Sequence, residues 1–239
     1  MMNKNINSIN FISLEECSRP NQRIVILDTE TTGLSYDTGD KIVEIGCVEL
    51  INNRITGKFF QTYINPQRDV SAGAYRVTGI STDFLRDKPI FHKIADDFLK
   101  FVDDSILIIH NANFDVPFLN YELNLINKPL LNNPVLDTLL VSRELFPGKP
   151  CSLDAVCRRL NIDNTMRTFH GALLDSQILG KVYLMLLKIK KTQVTVDLLI
   201  KEETVEKTII MSTNREKISL QLIETTELDL HYKFYKNND

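Results

Sequence analysis

Three separated stretches of this chain carry side chains suited to holding hard cations. They are Asp28-Thr-Glu30-Thr-Thr-Gly33-Leu34, His110-Asn111-Ala-Asn-Phe114-Asp115 and His170-Gly-Ala-Leu-Leu-Asp175. Carboxylates offer oxygen ligands only, which favour octahedral Mg²⁺ or Mn²⁺ over zinc. Two such ions about 3.5–4 Å apart stabilise both the attacking and the leaving oxygen of an in-line phosphodiester displacement. A neutral imidazole beside them is the natural acceptor of a proton from water near pH 7. The chemistry therefore points to metal-assisted phosphodiester hydrolysis, with Asp28, Glu30, Asp115 and Asp175 as ligands and His170 as base.

Each candidate must be placed by an element of structure. Side chains alternate along a strand, so Asp28 and Glu30 share a face if the apolar run from Ile24 persists that far. Two residues of rise set them roughly 6.5 Å apart, close enough for their stems to converge. Asp115 also stands where a helix cap would, just before Pro117. Asp175 shares a helical stripe with Ile178, Leu179, Val182, Met185 and Leu186. An ionised carboxylate on that packed face is costly without a partner, and a cation supplies one. The start of a helix also favours an acid through the dipole. His170 precedes that helix and reads as a loop residue. Asp137, Glu44 and His110 read as capping, supporting or packed groups. No G-x-x-x-x-G-K-[ST] loop occurs, which argues against P-loop nucleotide hydrolysis.

The elements themselves follow from pattern. Ile24–Asp28 is a continuous apolar run, as in a strand buried on both faces. Lys41–Ile51 and Arg54–Ile64 read as strands joined at Asn52-Asn53, a tight-turn pair. Phe91–Val102 carries Ile94, Phe98 and Phe101 at helical spacing. Ser105–Ile109 is a further strand, Pro117–Ile126 a helix, and Val135–Leu136 a short strand running into a helix through Leu145. Ser152 caps Leu153–Leu160, and a long helix runs from Ala172 to Lys190. The expectation is an α/β fold with a mixed five-stranded sheet flanked by helices. Residues 1–23, polar and Asn-rich, read as a disordered arm, 24–190 as the catalytic domain, and 191–239 as a linker and partner-binding tail.

Composition narrows the class. A length of 239 residues allows one sizeable domain plus an appendage. Hydrophobic and charged contents of 43% and 25% are those of a soluble globular chain. The net charge of −3 excludes a protein that coats nucleic acid nonspecifically, because that affinity comes from many Lys/Arg–phosphate contacts. It permits an enzyme that grips a strand end, where bound cations reverse the local charge. Cys17, Cys47, Cys151 and Cys157 form no zinc-like spacing and read as free thiols in a cytoplasmic protein.

Over Ile24–Leu187 these motifs resemble the DEDDh family of 3′→5′ exonucleases. Phe146-Pro-Gly-Lys, Ser152-Leu-Asp-Ala and Arg167-Thr-Phe-His-Gly-Ala-Leu-Leu-Asp175 bring the chain nearest the proofreading epsilon subunits of bacterial DNA polymerase III. The resemblance implies a ribonuclease-H-like fold and release of nucleoside 5′-monophosphates from DNA 3′ ends. It implies contacts of Asp28, Glu30, Thr31, Thr78, Asn111, Phe114 and Asp175 with the terminal nucleotide. The chain departs from some relatives at Thr78, where they carry His, and at Gly73, where they carry an acid. Gln193, Val196 and Leu198 look like a sliding-clamp-binding peptide. Leu230 and Phe234, on a short amphipathic Glu227–Tyr235 stretch, would dock on the polymerase catalytic subunit. Two alternatives stay open from sequence: an RNA 3′ exonuclease with the same acids, and a noncatalytic scaffold between clamp and polymerase.

Overall fold

The computed structural model describes the backbone of residues 5–213 and the side chains of residues 5–195. The chain divides into two units, 1–192 and 193–239. The first is built on one mixed sheet. Its strands are β1 (Asn10–Phe11), β2 (Arg23–Thr31), β3 (Ile42–Ile51), β4 (Arg54–Tyr63), β5 (Ile106–Ile109) and β6 (Pro134–Asp137), in the order β1-β6-β5-β2-β3-β4. β2, β3 and β4 form an antiparallel meander, while β5, β6 and β1 continue the sheet in parallel. The β3–β4 turn places Asn52 and Asn53 at φ of 52° and 58°, the left-handed pair that a tight hairpin requires.

The alternation of β2 separates two cores. Ile24 and Ile26 pack with α1 (Leu14–Cys17), α7 (Leu153–Arg159) and the first turns of α8 (Ala172–Thr213), with α6 (Thr138–Leu145) at the margin. Val25 and Leu27 pack on the opposite face with α4 (Phe91–Val102) and α5 (Ala112–Leu125). Two short helices follow β4, α2 (Ala72–Thr78) and α3 (Thr82–Leu85); Ile80 between them and Leu85 of α3 form a small cluster with Val43 of β3. Each begins at a serine, Ser71 or Ser81, whose hydroxyl accepts a backbone N–H of the first turn.

Four expectations are corrected. The N-terminal arm is ordered across residues 10–17: β1 pairs with β6, and Leu14 and Cys17 are buried against Ile24, because burying them offsets the cost of ordering the segment. The sheet therefore has six strands rather than five. Helix α5 starts at Ala112, five residues before Pro117, because Asn111 takes a left-handed conformation (φ 75°) that turns the chain directly out of β5. Helix α8, expected to end at Lys190, runs on to Thr213. Gln193, Val196 and Leu198 lie on this helix, whereas Leu230, Phe234 and the expected Glu227–Tyr235 helix fall outside the described residues.

Candidate active site

The acids meet at the carboxyl end of β2. Asp28 and Glu30 follow Ile24 and Ile26 on the strand face that looks toward α8, as alternation requires. The intervening Thr29 points the other way, and there both its amide and its hydroxyl donate to Asp115 Oδ1, at 3.0 and 2.6 Å. Asp115 thus reaches the site from the opposite helical layer, fastened between Asp28 and Glu30. It does not cap α5. Asp137, at the end of β6, accepts from the amides of Asn111 (3.0 Å) and Ala112 (3.1 Å), and also caps α6 through Leu139 (2.8 Å). One carboxylate starts two helices, which leaves Asp115 free for other work.

Asp175 arrives on the first turn of α8, and Gly46 determines where that turn sits. Gly46 is the register partner of Asp28, and a Cβ on it would meet the backbone of Ala172 and Leu173 at 2.2 Å. Ser176 Oγ donates to the Gly46 carbonyl at 2.8 Å, and Glu44 accepts from the Ala172 amide at 3.0 Å. Asp175 is buried and lies with Glu30 and His170 so that ligand atoms of all three fall within 4.8 Å of one another. The His170 amide donates to the Val77 carbonyl at 3.0 Å, which ties the loop before α8 to the end of α2.

The electrostatics are those of acids held against their mutual repulsion. Burial, then the charges of Asp115, Glu30 and Asp175, raise Asp28 well above the usual carboxylate range. Burial, then Asp175, Glu44 and Asp115, push Glu30 up to about 8. Burial also pushes Asp115 up to about 7, against the opposing hydrogen bonds from Thr29. Asp175 behaves oppositely. Burial alone would raise it, but its contacts with His170 and Arg167 and the Arg167 charge outweigh burial and hold it low. Three proton-hungry carboxylates beside an ionised one, all offering oxygen, fit divalent cations, whose charge would relieve the repulsion.

Beside the acids opens a cleft of about 750 Å³ lined by Glu30, Thr31, Leu34, Val77, Thr78 and Phe114, among others. Four residues expected to touch a nucleotide, Glu30, Thr31, Thr78 and Phe114, therefore line one space. Asn111 does not line it; its backbone makes the helix-starting turn instead. The Thr78 hydroxyl is engaged locally, donating to the Ala74 carbonyl at 3.0 Å and accepting from the Ile80 amide at 3.1 Å. Leu34, 87% exposed, is the apolar wall that sequence reasoning overlooked, although it closes the first motif. His110 is packed, its ring nitrogens each 2.9 Å from Thr138 Oγ1 and the Cys151 carbonyl. Glu44 supports the site through Ala172 and Gln61. Arg167, also overlooked, bonds both oxygens of Asp175. Its sequence signal was its place at the head of the Arg167–Asp175 motif, three residues before His170.

Comparison with known proteins gives the family and the fold. A family model described as exonuclease matches residues 25–183. The chain is 52% identical over 168 residues to the DNA polymerase III subunit epsilon of Rickettsia typhi, covering 69% of this chain and 73% of that protein. It is 49% identical over 170 residues to the protein of the same name from Escherichia coli, covering 68% and 70%. Among solved structures, the nuclease domain of 3′hExo, a DEDDh family member bound to rAMP, shares the fold. The TM-score is 0.61 at 19% identity, over 70% of this chain and 92% of that one.

Proposed function

Because the chain belongs to the exonuclease family, among the DNA polymerase III epsilon subunits, we propose that its four acids and His170 together hydrolyse the terminal phosphodiester of DNA. It is a 3′→5′ exonuclease of the proofreading type, acting with a DNA polymerase on DNA, and it depends on divalent metal. The observation that carries the residue assignment is the meeting of Glu30, His170 and Asp175 within 4.8 Å, with Asp115 fastened beside Asp28.

Asp28, Glu30, Asp115 and Asp175 would hold two cations, Mg²⁺ or Mn²⁺. Bound there, the cations would neutralise charge developing on the phosphate and acidify a water. His170, 43% exposed at the mouth of the cluster, accepts the proton of the attacking water. Phe114 and Leu34 give the cleft apolar surface against which a terminal base stacks, while Glu30 and Thr31 are its buried lining. An unpaired terminus reaches this space at lower cost than a paired one, because less stacking and pairing must be broken. The product is a nucleoside 5′-monophosphate.

Gln193, Val196 and Leu198 contact a sliding clamp, and Leu230 and Phe234 the polymerase catalytic subunit. No helix among the described residues is long and apolar enough to cross a membrane. We place the protein with the replication machinery in the cytoplasm.

The test is digestion of a 5′-labelled primer, paired or mispaired at its 3′ end, and of an RNA of the same sequence. With Mg²⁺ the wild-type protein should shorten DNA from the 3′ end, mispaired ends faster, and EDTA should stop it. Asp28→Ala should abolish the activity. Near-normal digestion by that variant, or a preference for RNA, would overturn the assignment.

A further inference from the structure

Arg167 lies on an irregular loop between α7 and α8, yet its side chain is only 7% exposed. Nε and Nη2 donate to Oδ1 and Oδ2 of Asp175, both at 2.5 Å, in the two-pronged geometry that a planar guanidinium matches to a carboxylate. Nη2 also lies 2.7 Å from His170 Nδ1, and Nη1 donates to Asp154 Oδ1 at 2.7 Å. Asp154 stands in the first turn of α7 and also accepts from Asn164 Nδ2 at 2.8 Å. One side chain thus spans α7, the loop and the start of α8.

We propose that Arg167 is the positioning residue of the active site. From its anchor on Asp154 it sets the orientation of the Asp175 carboxylate and of the His170 ring relative to each other. The proposal rests on the reading of Asp175 as a cation ligand and His170 as the base.

Three physical points support it. Each carboxylate oxygen has two lone pairs, so Asp175 can accept from Arg167 and still ligate a cation. A guanidinium only donates, so Nδ1 is the acceptor in its contact with His170, and that bond fixes the ring with Nδ1 3.4 Å from Asp175 Oδ2. Residues 160–171 contain no helix or strand, so little else fixes His170 apart from its backbone bond to Val77. Groups that orient ligands from behind typically change activity by about 10–100-fold when removed.

The charge of Arg167 and its geometry are separable. Arg167→Lys keeps a cation near Asp175 but cannot bond Asp175 twice while reaching His170 and Asp154. Asp154→Asn leaves Arg167 and the acids in place and weakens only the anchor. Arg167→Gln removes both charge and fork. Primer digestion kinetics in Mg²⁺ and thermal unfolding in EDTA and in Mg²⁺ would be measured for the wild type and all three variants.

Arg167→Lys should unfold within about 3 °C of the wild type. Its kcat should fall about 10–100-fold with KM changed less than about twofold. Asp154→Asn should show the same split on a smaller scale, about 3–10-fold in kcat. Arg167→Gln should lose more thermal stability in EDTA than in Mg²⁺, because cations replace the missing positive charge. Wild-type kcat in both Arg167→Lys and Asp154→Asn overturns the proposal. So does a loss of kcat that only tracks unfolding and returns on cooling, since that is a structural brace. If Arg167→Lys fails to fold, Asp154→Asn decides by itself. Failure of the wild type to digest DNA in Mg²⁺ would instead reject the underlying nuclease reading.

Discussion

Asp28 and Gly46 are partners across β2 and β3, and the first turn of α8 rests directly on Gly46. The contact leaves no room for a side chain. Gly46→Ala must push α8 away from the sheet, carrying Asp175 with it. Such overpacking costs about 1–3 kcal/mol or more, equivalent to roughly 2–10 °C in melting temperature. A shift of about 1 Å in a catalytic group can also cost on the order of 10²-fold in rate. Thermal unfolding with primer digestion checks this, and a wild-type-like variant would mean that α8 does not seat here.

His170 is half-exposed and holds few groups in place, so its removal should separate chemistry from stability. His170→Ala is expected to lower kcat by about 10²–10⁴-fold, with KM and melting temperature nearly unchanged. A parallel fall in melting temperature would show a structural rather than a catalytic role.

The acid cluster predicts an unusual pH response. The pKa of Glu30 is pushed up to about 8 and that of Asp115 to about 7, both far above their ordinary values. From about pH 4 up to those values the folded protein keeps protons that the unfolded chain has already released, so stability falls as pH rises through that window. In EDTA, melting should be higher at pH 5.5 than at pH 8.5 by roughly 5 °C or more. Mg²⁺ should close most of the gap at pH 8.5. Calorimetry with and without chelator measures it, and a flat profile in EDTA would contradict the crowding of these acids.

Truncation tests the ordered arm. Removing residues 1–18 deletes β1 and α1 and exposes the core that Leu14 and Cys17 cover. A buried leucine alone is worth about 1.5–3 kcal/mol, so the truncated protein should melt roughly 5–10 °C lower. An unchanged melting temperature would show that the arm contributes nothing.

Sequence periodicity served best where an element is long and one-sided. The stripe from Asp175 through Ile178, Leu179, Val182 and Leu186 is buried as spaced, although Tyr183 packs more deeply than Met185. The alternation of Ile24, Ile26, Asp28 and Glu30 likewise placed two acids on one face. Short elements escaped because periodicity needs length. The seven residues of α2 include Gly73, and its sole signals were the bracketing Ser71 and Gly79. The cap of α5 was misplaced because Asp137, the group that satisfies its first amides, lies on another strand. Arg167 opened a quoted motif, but its role escaped for the same reason: its partners come from α7 and α8, and nothing local to the loop announces them.

Glu44 divides its carboxylate between Gln61 of β4, at 2.8 Å, and the amide that opens α8, at 3.0 Å. β4, at the edge of the sheet, supplies no candidate ligand, yet Gln61 holds the same carboxylate that accepts the first amide of α8. Anything that slid β4 along its neighbour would take Gln61 away and change the pull on Ala172, three positions before Asp175. The far edge of the molecule thereby becomes a lever on the chemistry.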